Sequence, residues 1–360
     1  MKKILVIVLM VSIFIMFSCE KKHNGDAGEE AWPDHPKPIE GWVALESENP
    51  QWGGLLKVDA QGHINNSFIP ENIYYAEGAL PRVTVGWVNA IEFNNNQNSI
   101  YQISSGRWTY FEKQPVCKSS AVIRIIEIAR FENGNGIISA ACDDMGYLFI
   151  WSNDKWQIMK APPSIGLMDC YAENNCVLFD NYGSIYKYNG EDFIKISVDN
   201  TFSETTQVSI QNNERIYAVV AYDVSEGGDT TDETNPYTIV KYEKSKWSPI
   251  EHLTEEENYF VTGPKLFRID SHHMAVSIYR GEDDSETIIL SDSGKVMRPE
   301  WPEYQKLVFA PGGSGLGYKI TTSPLRYRVD LIEGLTFKTI YEANAAEGVG
   351  VTMLLAADAE

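Results

Sequence analysis

The sequence predicts an all-β fold, a seven-bladed β-propeller of four-stranded antiparallel blades closed by a C-terminal strand that joins the first blade. Three observations carry this. A strand–turn–strand unit recurs seven times, its period is that of one blade, and no window of a dozen residues keeps a 3.6-residue period better than a period of two. A lone four-stranded sheet would leave two apolar faces bare, so such units are stable only when they cover one another.

The clearest unit runs from Gly136 to Lys160. Ile137 to Cys142 is an apolar run, Asp143 to Gly146 has turn chemistry, Tyr147 to Trp151 is a second run, and Ser152 to Asp154 turns into Trp156 to Met159. Val122 to Ala129 supplies the fourth strand. Elsewhere the same grammar is a strand, a polar turn with Asn, Asp or Gly, and a large apolar residue. The residues after the turns are Ile64, Trp108, Trp156, Phe193, Trp247, Val296 and Phe337, which recur on average about every 45 residues, the length of a propeller blade. An ordinary β-sandwich with chance aromatic spacing is the alternative, but residues 42–360 are long for one sandwich and the turns recur in phase.

In chain order, Lys2-Lys3 is a basic head and Ile4 to Phe17 is apolar apart from Ser12, too short to span a bilayer. Residues 1–18 therefore read as a signal peptide. Residues 19–41 carry charges and Pro33, Pro36 and Pro38 with little to bury, and read as a disordered tether reaching on the order of 25 Å. Only about three strands (Trp42 to Leu45, Gly54 to Val58, His63 to Ile69) precede the second blade. At the far end Gly350 to Ala356 follows the last unit without a copy of its own. As a strand it completes the first blade and removes an exposed edge, although its Ala and Leu content also suits a short helix. The polar stretch Ser225 to Pro236 reads as a loop inserted between the second and third strands of its blade.

Functional signals are sparser. The net charge of −20 and a pI near 4.7 argue against nucleic acid as a partner. In every blade the turns between second and third strands emerge on one side of the disc. There they gather Asp143, Asp144, Asp180, Asp229, Asp232, Asp283 and Asp284, a candidate acidic face for a cation or a basic partner. The same acids also suit turns for backbone reasons alone. Cys117, Cys142, Cys170 and Cys176 form an even set, with Cys170–Cys176 and Cys117–Cys142 as candidate disulfides and free buried thiols as the alternative. No cysteine pair has metal-ligand spacing and no two histidines lie near them, so neither metal nor cofactor is expected. His272-His273 fall in a first-to-second strand turn and point to opposite faces, and the glycine-rich Pro311 to Gly317 lacks the lysine and helix of a phosphate loop. Trp108, Trp156 and Trp247 read as packing between blades. Trp42, Trp52, Trp87 and Trp301 lie outside the anchors, where an exposed indole could stack on a sugar ring.

Met16-Phe17-Ser18-Cys19 resembles the lipobox of bacterial lipoproteins, which implies that Cys19 becomes the lipidated first residue; Phe17 is bulkier than that pattern favours. The acidic residues after the cysteine resemble exported lipoproteins of Bacteroidota, which implies the cell envelope and an outer-membrane anchor. Over residues 42–360 the chain resembles β-propeller lipoproteins as a class, with no subfamily marked. Two functions follow as expectations: a non-catalytic binding or scaffold module for a protein or glycan partner at the envelope, or a carbohydrate-active or other hydrolytic enzyme with carboxylates in the central channel. Converging carboxylates would favour the enzyme, and an exposed aromatic or apolar patch the binding module.

Overall fold

The computed structural model describes residues 36–47, 54–67, 73–82, 85–92, 98–104, 107–118, 123–143, 145–162, 165–180, 183–196, 202–222, 237–252, 262–281, 284–302, 304–322, 324–344 and 349–359. The chain divides into Met1–Ala31 and Trp32–Glu360. The expected signal peptide, Cys19 and nearly all of the tether thus lie outside the described residues.

Among the described residues every regular element is a strand. The first blade contains β1 (Ile39–Ser47), β2 (Gly54–Val58) and β3 (Ile64–Ser67), and β1 starts three residues before Trp42. Blade two is β4 (Ile73–Arg82), β5 (Val85–Glu92), β6 (Asn98–Ser104) and β7 (Arg107–Tyr110). Blade three is β8 (Ile123–Arg130), β9 (Gly136–Cys142), β10 (Met145–Ser152) and β11 (Lys155–Lys160). Blade four is β12 (Ile165–Ala172), β13 (Asn175–Asp180), β14 (Ile185–Tyr188) and β15 (Phe193–Ile196). Blade five is β16 (Phe202–Ile210), β17 (Ile216–Tyr222), β18 (Tyr237–Glu243) and β19 (Lys246–His252). Blade six is β20 (Thr262–Arg268), β21 (His273–Gly281), β22 (Asp284–Ser291) and β23 (Val296–Met297). Blade seven is β24 (Lys306–Phe309), β25 (Ser314–Thr322), β26 (Leu325–Glu333) and β27 (Thr336–Asn344).

The last strand, β28 (Val349–Asp358), pairs antiparallel with β1 from Ile39↔Asp358 to Ser47↔Val349. The first sheet therefore has the order β28-β1-β2-β3, and the C-terminal segment is its innermost strand, not a helix. Each first strand contacts the first strand of the next blade, and β24 contacts β28, so the inner strands form a closed ring. Closure covers the inner edge of β1 with β28, so each blade presents only the edge of its innermost strand toward the axis.

Among the described residues the buried apolar side chains fall into seven clusters, one at each seam between neighbouring blades. Trp42, Tyr101, Trp108 and Leu355 fill the seam between blades one and two. Trp87, Phe111, Phe149 and Trp151 fill the next. Leu56, Leu316, Tyr318 and Leu354 fill the closing seam between blades seven and one. Burying each such side chain contributes about 1.5–3 kcal/mol, so seam filling dominates what holds the ring together. The anchor aromatics behave as packing groups: Trp156 lies 5.1 Å from Trp151, Trp247 5.1 Å from Tyr242, and Phe193 5.4 Å from Tyr188. Phe337 is the exception, exposed with the Arg328 guanidinium over its ring at 5.3 Å.

Gly136 and Gly317 are among the glycines fixed by close approach. A Cβ on Gly136 would stand 2.5 Å from Cζ3 of Trp87, and one on Gly317 would stand 2.5 Å from Cε1 of Tyr304. The glycine-rich stretch is thus a tight turn into β25 followed by a slot for Tyr304, whose hydroxyl donates to Asp330 Oδ2 at 3.0 Å. Burial, reinforced by the Asp330 charge, pushes the Tyr304 phenol far above its ordinary range. Cys117 is joined to Cys142, tying the segment after β7 to the end of β9, and Cys170 is joined to Cys176 across β12 and β13.

Candidate functional site

Strand direction alternates within a blade, so first-to-second and third-to-fourth turns share one side of the disc and second-to-third turns the other. A cavity of about 840 Å³ opens along the central channel on the first side. Its wall is built from the ends of β8, β12, β16, β20, β24 and β28 and from the turns that follow β8, β20 and β24. Every first strand except β24 carries a register shift against its neighbour. Such bulges add twist and re-aim individual side chains. One of them falls between Cys170 and Ala172, which leaves Tyr171 as the extra residue, exposed on the cavity wall.

The ionic groups of the mouth are arranged in pairs. Asp169 Oδ2 accepts the Ser209 hydroxyl at 2.5 Å and the Ile210 N–H at 3.0 Å, while Oδ1 lies 3.9 Å from Arg268. Arg268 Nη1 donates to the carbonyls of Cys170 and Ile210, each at 3.1 Å, and its guanidinium lies 5.7 Å from the Tyr171 ring. Asp270 accepts the N–H groups of His272 and His273 at 2.6 and 2.7 Å and contacts the His273 ring at 3.0 Å. Burial alone would raise the Asp270 pKa and is its largest single influence. The bonds from His273 and His272 together outweigh it, and the carboxyl is held below its ordinary range.

Arg130, the last residue of β8, differs. Its guanidinium lies 4.1 Å from the Trp87 ring, a cation–π contact. Its Nε and Nη1 are buried, and no acceptor among the described residues reaches them. Burial lowers its pKa to about 10. Phe131, Phe267 and Phe309 add aromatic surface around these charges.

The seven acids expected to form an acidic face belong to second-to-third turns, on the side of the disc opposite this cavity, and none of them lines it. Asp144, Asp229, Asp232 and Asp283 lie outside the described residues, and Asp284 is the first residue of β22. Asp143 is exposed with a φ of 49°, a turn conformation. Asp180 is turned inward at 3% exposure, and its carboxylate accepts the Ser184 N–H at 2.7 Å, so it closes a turn and presents no charge to a partner. The tryptophans outside the anchors are corrected. Trp42, Trp87 and Trp301 are all buried, so none is a platform for a sugar, and Trp52 lies outside the described residues. His273 is buried against Asp270, whereas His272 is exposed and contacts Asp292 at 2.9 Å. Among the described residues no group of His, Cys, Asp and Glu could hold a metal ion.

Arg130, Tyr171 and Arg268 were not marked by any local motif. Each sits at the end of a first strand, so the signal that could find them is a charged or aromatic residue recurring at that one position of the repeat.

No protein-family model matches the sequence, and no curated protein matches it. Solved structures do. The chain is similar to YCF48 bound to D1 peptide, at 10% identity and a TM-score of 0.52, over 88% of this chain and 92% of that one. It is similar to a protein from Lactobacillus plantarum, also at 10% identity and a TM-score of 0.52, over 88% and 98% of the two chains. A Mycobacterium tuberculosis puromycin-hydrolyzing peptidase matches at 10% identity and a TM-score of 0.58 over 85% of this chain, which spans only 52% of the peptidase. At these identities the likeness is one of fold, and the fold is the β-propeller.

Proposed function

We propose that this chain is a non-catalytic binding module, exported and anchored at the cell envelope through a lipid on Cys19, and that the mouth of its central channel takes a peptide segment of a protein partner. The observation that carries the reading is the composition of the mouth. Tyr171 is re-aimed into it by a bulge, Phe131, Phe267 and Phe309 surround it, and Arg130 and Arg268 stand among them. Aromatic residues and arginine are the groups that supply most of the binding energy at protein interfaces. A rigid ring holds them in place without a folding cost on binding. One neighbour of the same fold, YCF48, is recorded with a peptide. The lipobox-like Ser18-Cys19 and the charged, proline-bearing stretch after it support the anchor.

The hydrolytic alternative finds less support in the mouth. Among the described residues lining the mouth there is no histidine to serve Ser209 as a base, and the Asp169 carboxylate that accepts its hydroxyl is already engaged by the Ile210 N–H and Arg268. Asp270 is held ionised, the opposite of what a general acid needs.

The test is selection of a random peptide library on the mature chain, with Tyr171→Ala as the control for site. Selected peptides are expected to lose roughly tenfold or more in affinity on Tyr171→Ala, a change at an exposed side chain that leaves the fold intact. Peptides that bind Tyr171→Ala equally well, enrichment of glycans in place of peptides, or turnover of either would overturn the reading.

A further inference from the structure

We propose that the mouth recognises a carboxylate on the bound peptide and that Arg130 is the residue that holds it, an inference that rests on the peptide-binding reading above. The other ionic groups described in detail at the mouth are already engaged. Asp169 is held by Ser209, Ile210 and Arg268, Arg268 by two backbone carbonyls, and Asp270 by His273 and two N–H groups. Arg130 is the contrast. Trp87 covers a face of its guanidinium, which attracts the cation but accepts none of its in-plane N–H groups. Nε and Nη1 are left buried with no acceptor among the described residues. Arg130 is partly exposed, but leaving its Nε and Nη1 donors shielded from water without an acceptor is costly, and an anion that pairs with them removes that cost.

The geometry of the donor selects the anion. A guanidinium offers parallel N–H groups in one plane, which match the two oxygens of a carboxylate. The setting selects against higher charge: Glu127, Glu132, Asp169 and Asp270 also line the mouth, and the chain carries −20 overall. A phosphate dianion would meet that field with twice the charge. Trp87, packed against Gly136, fixes the plane of the fork before anything binds, because no Cβ at Gly136 displaces the indole. The carboxylate can come from an Asp or Glu side chain or from a peptide C-terminus; both offer the same two oxygens.

The test uses the mature full chain and three synthetic forms of each peptide selected from the library. These are the parent, a form with Asp and Glu replaced by Asn and Gln, and a form with its C-terminus amidated. One of the two altered forms is expected to bind roughly ten to a hundredfold more weakly than the parent, the range for a lost charge-assisted hydrogen bond. Which form weakens identifies the source. Arg130→Gln is expected to abolish that difference and Arg130→Lys to restore part of it. The proposal is overturned if both altered forms bind like the parent, or if Arg130→Gln keeps the preference. Should no peptide be selected, the peptide reading fails separately, and the carboxylate site is then tested with sodium acetate alone. The Arg130 side-chain Nε–H resonance, assigned by its loss in Arg130→Lys, is expected to shift with acetate and not with sodium chloride at equal ionic strength. An unmoved resonance overturns the site.

Discussion

Asp358 Oδ1, in the last strand, accepts the backbone N–H of Gly312, in the turn before β25, at 2.8 Å. The same carboxylate stands 3.7 Å from Lys37 Nζ, the Ser314 hydroxyl donates to the Lys37 carbonyl at 2.6 Å, and the Ala359 N–H donates to the Pro38 carbonyl at 2.9 Å. These contacts tie both ends of the described ring to blade seven. Asp358→Ala is expected to cost about 1–2 kcal/mol, because it leaves the Gly312 N–H without its acceptor; urea unfolding measures it. Deleting residues 349–360 is expected to be far more severe. It bares β1 as an edge strand and opens two seams, and size-exclusion chromatography should show association in place of a monomer.

Gly136 and Trp87 give a second prediction. Gly136→Ala places a methyl 2.5 Å from a buried indole that cannot retreat, and is expected to destabilise by about 1–3 kcal/mol through overpacking. A companion change at Gly294, where a Cβ meets nothing within 4 Å but φ is +82°, separates the two causes of glycine use, since only backbone strain operates there. Denaturant midpoints of the two variants check this.

The Cys117–Cys142 bond closes a loop with a sequence separation of 25. Replacing both residues by serine is expected to lower stability by about 3 kcal/mol, and thiol titration of the unreduced, denatured chain should find none of the four ring cysteines free.

Acid sensitivity follows from Asp270. Its pKa is lower in the folded chain than in the unfolded one, so the stability it contributes is present above the ordinary carboxylate range and is lost as the pH falls through its folded pKa. Asp270→Asn is therefore expected to destabilise the chain at pH 7 and to flatten the acid limb of its stability curve. A urea midpoint measured from pH 7 down to pH 3 tests both parts, and an unchanged acid limb would sink the assignment.

The anchor is tested at Cys19. Metabolic labelling with an alkyne fatty acid is expected to mark the wild-type chain, and Cys19→Ala is expected to lose the label and to leave the membrane fraction.

The fold was legible because its determinants are local and repeated. Strand, turn and anchor residue recur within each unit of about 45 residues, and the surplus strand after Phe337 marks how the ring closes. The site was not legible because a channel gathers one or two residues from each unit. Asp169 meets Ser209, and Arg268 reaches Cys170, across whole blades. A one-residue bulge, not composition, turns Tyr171 into the mouth. Asp180 shows the converse: an acid at an expected loop position looks available in the sequence, yet its carboxylate is consumed by the turn it forms.

The innermost place in the first sheet belongs to β28, whose Asp358 stands opposite Ile39. The first blade therefore stays incomplete until residues 349–358 are available to pair with β1. Cooperative closure of the ring is thereby deferred until that strand has been made.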